Sequence, residues 1–473
     1  VVEDLKTRVR AKKLKRLLGV AALAFGGGAL GYLIVSGTWS FLFLIIIAAV
    51  SVGAVVLGAQ GFGLVVLALC GLPLFSQTYH VPLMWAAVIV WTFIAISERV
   101  LRVRVRPAAS LDSAARWLPL AFLTSALLAD IFGSENQVQD VVSKTLTLAF
   151  GVLTYYLAAS TYSEPAWHRR ALVSLSAGAL IVLAIGVLMM LRPGAAVPGM
   201  LSFSGSTLYR ELGHASVRFT GPLGDYELAA EMLGISSIAL FGVAAGTKGP
   251  RKILLSVLGA ISLGGILLTG TRAGLIISAV GMALLMLKRQ PSRSRNSFLF
   301  VVAVVGVAVA LTLRFFPDAS VVIDRFSRIK FGVGLSQTVN RGNLWPGFLD
   351  RISASAGIMF GHGAEYDYLS IGTYPHSLYL YVLYSQGLLG LAVLIAFLLR
   401  LLVPVFACLR ERGAWNTFSL GPVLVALFVA DQVKIEFTRV YSYQMWIWAL
   451  LGLVAIGTRA RTTAPTAPEL PDA

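Results

Sequence analysis

Apolar runs long enough to cross a bilayer recur along almost the whole chain, and this supply of spanning segments limits the fold more than any other feature. They fall at roughly 17–36, 40–58, 61–76, 81–98, 116–132, 141–160, 171–191, 226–246, 252–269, 273–288, 297–316, 376–401, 417–433 and 441–458. A spanning helix needs about 20 mainly apolar residues, since each residue advances it about 1.5 Å through a hydrocarbon layer about 30 Å thick. The expected fold class is therefore an all-α polytopic membrane protein with about 12–14 transmembrane helices. The pair between 40 and 76 is short and Gly-rich, hence the range. With 57% of 473 residues hydrophobic and 13% charged, no hydrophilic run is long enough for a separate globular domain. Residues 1–460 read as a single polytopic domain, and 461–473, rich in Pro and Ala, as a disordered tail.

A net charge of +17 would point to nucleic acid in a soluble chain. Here the positions of the charges point to topology instead. If the basic arm 1–16 lies in the cytoplasm, every second connection is cytoplasmic, and these hold 26 of the 39 Lys and Arg residues but only 8 of the 22 acids. That is the positive-inside bias, and a miscounted early helix would erase it. Both termini then face the cytoplasm. The arm precedes an apolar stretch without a convincing small-residue cleavage site, so it reads as an uncleaved signal anchor. Cys70 and Cys408 fall towards opposite faces in this scheme, so no disulfide between them is expected.

Two long connections then face outward, about 192–225 and 315–375. The second is aromatic, with Trp345, Phe348, Phe360, Tyr366, Tyr368 and Tyr374, which argues against disorder. Apolar spacing in LWPGFLDRISASAGIMF predicts a short amphipathic helix lying on the membrane surface.

The candidate chemistry gathers on this side. His376 follows Pro375 at the head of an apolar helix, whose positive end favours neutral imidazole, the form that accepts a proton. Its alternative role is that of an interfacial or capping histidine. Arg272 in LLTGTRAGLI occupies a minimal turn between two helices, with small residues that leave room for a ligand. It could also be snorkelling to headgroups, but a lone arginine in so tight an outward turn runs against the positive-inside bias. Arg341, in NRGNLW, lies on the catalytic-loop candidate 315–375. Arg218 precedes a Gly-Pro turn and a helix, where Asp225 or Glu227 could cap or pair with it. His362 in FGHGAE, Tyr374 and Trp345 are further candidate substrate contacts. A guanidinium grips phosphate oxygens as a fork, so one base and fixed cations at a membrane surface suggest transfer chemistry on a phosphorylated lipid. There is no HExxH, no Cys/His cluster, no GxGxxG and no P-loop, so neither a metal, a nucleotide donor nor another cofactor is expected.

Three blocks resemble the O-antigen ligase and O-antigen polymerase family of bacterial membrane glycosyltransferases. LLTGTRAGLIISAV is similar to its threonine-glycine-(Ser/Thr)-arginine turn. NRGNLWPGFLDRI followed by FGHGAE is similar to its arginine–tryptophan segment and Gly-x-Gly turn. HSLYLYVLYSQGLLGLAVL is similar to its histidine and the helix with a Gly-Leu-Leu-Gly step. RFTGPLGDYELAAEMLG forms a fourth block, and the likeness spans about 218–400. The commonest family pattern has Asn after the histidine. Ser377 stands there in this chain, so no asparagine amide can make a contact at that point.

The resemblance implies a class C glycosyltransferase-like helical bundle whose long outward loop bears short helices. It implies a metal-independent, inverting transfer from an undecaprenyl-diphosphate-linked glycan, with His376 as base and Arg272, Arg341 and, less centrally, Arg218 on the diphosphate. The acceptor would be lipid A–core in a ligase or another lipid-linked glycan in a polymerase. The segment 314–351 carries three more basic than acidic side chains, which tilts the choice towards a phosphorylated lipid acceptor and so towards ligation. A transporter of lipid-linked glycans is the rival from another class, expected to show internal repeats, broken helices and charges near the bilayer midplane. The orientation has a direct check. A cysteine at position 345 or 370 should react with an impermeant thiol reagent added outside intact membranes, and one at 292 should not; labelling at 292 alone would reverse the scheme.

Overall fold

The structure is a computed structural model, and it describes residues 57–73, 83–100, 111–132, 138–191, 206–211, 214–287, 314, 349–350, 358–363, 377–410, 417–432 and 440–460. Its helices are α1 (Leu57–Leu69), α2 (Leu83–Val100), α3 (Ser113–Phe132), α4 (Val138–Thr161), α5 (Pro165–Leu191), α6 (Tyr226–Ala245), α7 (Pro250–Thr269), α8 (Arg272–Leu287), α9 (Leu378–Leu402), α10 (Pro404–Arg410), α11 (Thr417–Asp431) and α12 (Tyr441–Ala460). Five stretches, Ser113–Phe132, Pro165–Met190, Tyr226–Ala245, Pro250–Thr269 and Leu378–Phe406, are long and apolar enough to cross a membrane. The protein is an all-α polytopic membrane protein. The expected spans from 81–98 to 273–288 and from 376–401 to 441–458 each match an observed helix to within a few residues, 171–191 excepted, which starts earlier, at Pro165. The spans at 17–36, 40–58 and 297–316 lie almost wholly outside the described residues, as does the tail.

One element departs from the helical pattern. β1 (Ser206–Glu211) and β2 (His214–Phe219) pair antiparallel within the connection between α5 and α6, with Thr207 opposite Arg218. The hairpin leads into a 3-10 turn, Gly221–Leu223, and then into α6.

α6 is the central post, and nearly every residue from Leu228 to Ala244 is buried. Helices in a bilayer gain little from apolar contact alone, so close packing and short polar ties hold them together. Ser237 donates to the Gly259 carbonyl at 2.9 Å, and Ser262 donates back to the Leu233 carbonyl at 2.9 Å, stitching α6 to α7. A Cβ on Gly452 would lie 2.4 Å from the Tyr155 carbonyl oxygen, which measures how closely α12 approaches α4. Both cysteines are free and buried.

Breaks in the helical hydrogen-bond ladder are filled from neighbouring elements. Pro119 within α3 has no N–H to offer the carbonyl of Ala115, one turn back. The Tyr155 hydroxyl of α4 donates to that carbonyl instead, at 2.7 Å. At the same end of the bundle Arg400 pairs with Asp112. Burial raises the Asp112 carboxyl, but the Ala115 amide and the Arg400 guanidinium outweigh it and hold the group below the usual carboxylate range. A depressed carboxylate adds stability above its unfolded pKa and loses it as the pH falls through the folded value, so this tie weakens only in acid.

α9 is itself broken. Gly387 has φ 67° and ψ −167°, so the carbonyls of Tyr384 and Ser385 lose their partners one turn on. The FGHG segment supplies replacements. His362 N–H donates to Tyr384 O and Gly363 N–H to Ser385 O, both at 2.9 Å, while Leu389 N–H donates to Met359 O at 3.2 Å. Non-helical backbone at membrane depth is tolerated only when its polar groups are met in this way. The approach leaves no room for side chains. A Cβ on Gly361 would sit 2.4 Å from the Ser385 carbonyl, and one on Gly387 2.4 Å from that of Met359. Gly387→Ala should therefore cost at least about 2 kcal/mol, from left-handed strain plus backbone collision. Gly249 has a similar backbone, with φ 69° and ψ −156°, but open space around it, so Gly249→Ala should carry the strain without the collision and cost less than Gly387→Ala. Thermal unfolding in detergent compares the two, and equal losses would show that the interlock contributes nothing.

Candidate active site

The threonine–glycine turn is built for rigidity. Gly270 takes the left-handed conformation (φ 67°) that closes α7, and its N–H bonds Leu267 O at 3.2 Å. The Thr269 hydroxyl donates to Ile266 O at 2.7 Å and accepts the Thr271 N–H at 3.2 Å. Both threonines are buried, and the Thr271 hydroxyl lies 3.4 Å from Tyr226 O at the head of α6. Arg272 is the first residue of α8, so its backbone stands where a helix presents its positive end.

Arg218 is the penultimate residue of β2. Next to it Phe219 is fully buried, against Gly186 and Gly221, which pins the end of the hairpin to the bundle. Asp225 then caps α6, its carboxylate accepting the N–H groups of Glu227 at 2.8 Å and Leu228 at 3.2 Å. Of the two carboxylates considered beside Arg218, Asp225 therefore carries the cap. The side chains of Arg218 and Arg272 lie outside the described parts.

His376, Tyr374, Arg341 and Trp345 also lie outside the described residues, as does most of the expected surface helix, of which Leu349 and Asp350 are helical and exposed. The helix after His376 is well defined. Ser377 is its N-cap residue, and the N–H of Leu378 donates to Gln432 O at 3.0 Å. The Tyr379 hydroxyl donates to Val429 O at 3.0 Å. The start of α9 is thus fastened twice to the end of α11. His362 is half-buried, its ring stacked on Tyr384 with centroids 4.5 Å apart. It therefore packs on α9 at Tyr384, roughly 9 Å along the helix from Leu378 by helical rise.

Sequence reasoning passed over a buried polar cluster at this same end. Glu231 of α6 is fully buried. It accepts the Tyr443 hydroxyl at 2.5 Å and the Gln432 amide at 2.9 and 3.1 Å on its two oxygens. Tyr443 belongs to the first turn of α12. These bonds bring the starts of α6, α8, α9 and α12 and the end of α11 to one end of the bundle. A glutamate inside YELAAEMLG, an otherwise apolar helix, was the available signal, because intramembrane carboxylates are costly and seldom idle.

A family model described as O-antigen ligase matches residues 257–395. The segment running from α7 through α9 is O-antigen ligase-like. It bears out the resemblance carried by the TGTR, FGHG and HSLYLY blocks, and it contains Arg272, Arg341, His362 and His376. No curated protein matches the chain. At the level of the family, the match supports glycosyl transfer of the O-antigen ligase or polymerase type, with a lipid-linked glycan and an acceptor as partners in general.

Proposed function

We propose that this protein transfers a glycan from undecaprenyl diphosphate to an acceptor hydroxyl at the outer face of the bacterial inner membrane, without a metal ion. The observation that carries this reading is the family match over 257–395, which takes in His376, Arg272 and Arg341 together. The convergence of the helix starts that bear or follow Arg272 and His376 supports it. Each helix start contributes about half a positive charge, and four of them favour an anionic diphosphate at that end of the bundle.

The chemistry needs a base and a stabilised leaving group. The acceptor oxygen attacks the anomeric carbon from the face opposite the diphosphate, and His376 takes its proton. The bond from that carbon to the diphosphate oxygen breaks, with the electron pair leaving on the phosphate. Positioned general-base catalysis contributes roughly 10²–10⁴-fold. An arginine about 4 Å from a phosphate charge gains on the order of 4 kcal/mol at an effective dielectric near 20. Arg272 and Arg341, with Arg218 a lesser member, can thus take the place of a metal ion. His362, Tyr374 and Trp345 complete the substrate contacts in this reading, on a loop spanning 315–375.

His376→Ala should abolish transfer by purified protein while donor binding persists, because a base acts on the acceptor. Activity should also fall as the pH drops through the histidine pKa of the assembled site. Near-normal turnover of His376→Ala would remove the base. Arg272→Lys keeps the charge but loses the fork, so it should be impaired, and Arg272→Ala more so. Arg341→Ala should weaken donor affinity more than His376→Ala does. All of this should hold in EDTA, and a strict requirement for Mg²⁺ or Mn²⁺ would sink the arginine clamp.

Ligation onto lipid A–core is the favoured form. The surplus of three basic side chains in 314–351 suits a phosphorylated membrane acceptor. Deletion of the gene in its host should leave long lipid-linked polymer beside bare lipid A–core. Single repeat units capped on lipid A–core would instead identify a polymerase.

A further inference from the structure

We propose that Glu231 is a positioning residue for the transfer reaction, holding the start of α9, and with it the His376 joint, through Gln432 and Tyr443. The proposal rests on the reading of His376 as base. It begins from a cost. Burying a carboxylate carries a penalty of several kcal/mol, and well-packed apolar side chains of similar volume often serve a fold equally well. Glu231 is fully buried, about 8 Å along α6 from its first residue by helical rise. Its contacts therefore need a reason beyond packing.

Three hydrogen bonds are donated to it. Gln432 spans both carboxylate oxygens, and the Tyr443 hydroxyl adds a short bond of 2.5 Å. Asp225 and Asp431 are the other acids close enough to act on Tyr443, and both are buried. Tyr443 is steadied in turn by stacking on Trp446, with centroids 5.9 Å apart.

Gln432 is the coupling element. Its side chain is fixed by Glu231, and its carbonyl accepts the N–H of Leu378, one of the donors that the first turn of α9 would otherwise leave unmet. Leu378 stands two residues after His376. One side of Gln432 thus grips the central helix α6 and the other holds the entry to α9. Without the carboxylate the Gln432 amide and the Tyr443 hydroxyl lose this shared acceptor, and the Gln432 carbonyl that holds the entry to α9 is less firmly placed. A misplacement of about 1 Å at a reacting group can cost roughly 100-fold in rate.

The test uses the full-length protein in detergent or nanodiscs. Glu231→Gln keeps the volume but sets an amide N–H against that of Gln432. Its kcat should fall roughly 10- to 100-fold while the donor KM stays within about 3-fold. The double variant Glu231→Gln/Gln432→Glu restores a carboxylate–amide pair in reverse and should recover a large part of the loss. A role in folding alone would lower the amount of folded protein and leave the kcat of the surviving molecules unchanged. A second readout is independent of turnover: the maleimide labelling rate of His376→Cys should differ at least about 3-fold between the native and Glu231→Gln backgrounds. If Glu231→Gln does not fold, Tyr443→Phe and the reversed pair carry the same comparison. Unchanged labelling, or turnover within 2-fold of native, overturns the proposal. An active His376→Ala alongside altered labelling would instead remove the base and leave Glu231 as the residue that sets the joint.

Discussion

Inside a bilayer a backbone carbonyl released from its helix has no water to turn to, and this one constraint organises the parts of the structure that matter for function. Pro119 frees the Ala115 carbonyl, and Tyr155 reaches across from α4 to meet it. Gly387 frees two carbonyls of α9, and the FGHG segment meets both. The second case does more than repair a helix. It ties the FGHG segment, upstream of His376 on the same connection, to the helix that follows His376, so that two of the recognisable sequence blocks are one interlocked unit. Only glycine fits at Gly361 and Gly387, because each Cα lies against the other segment's backbone.

The end of the bundle at which α9 begins gathers opposing charges. Helix starts present unpaired N–H groups and positive dipole ends, and Asp225 caps α6 there. Glu231 lies deeper, with donors on both oxygens. An anionic diphosphate needs the positive ends free, whereas a stable empty site needs them balanced. A carboxylate set below the surface supplies balance without occupying the mouth. In the proposed reaction the arginines would act on a substrate whose charge the helix ends already favour.

Much of the fold was legible in the sequence, for a physical reason. A membrane span must be continuously apolar, and its ends are marked by charge, so α2 to α8, α11 and α12 could be read off, with α5 starting a few residues earlier than expected. The TGTR turn was legible as well, since two helices separated by Thr-Gly-Thr leave no room for anything but a turn. The break at Gly387 was not, because GLLG is equally good as a small-residue packing step in an intact helix. The hairpin at 206–219 was hidden because six-residue strands barely establish an alternation. Glu231 escaped because the charges were weighed by connection, whereas its meaning lies in Gln432 and Tyr443, some two hundred residues away in the chain. The placements of His376 and Arg341 remain expectations of sequence, borne by the family-matched segment.

A broken transmembrane helix is also what a transporter would have, so the break in α9 must be weighed against the transport reading. In transporters the ends of half-helices are offered to the substrate or its coupling ion. Here those ends are occupied by the protein's own chain. Tyr384 O and Ser385 O are bound by His362 and Gly363, and the N–H of Leu389 by Met359. Opening this site to a ligand would require unpairing three backbone hydrogen bonds and withdrawing two glycines from contact with opposing carbonyls. A fixed interlock of that kind suits a reaction whose groups must be held to within an ångström of one another. It does not suit a pathway that must open and close around its cargo.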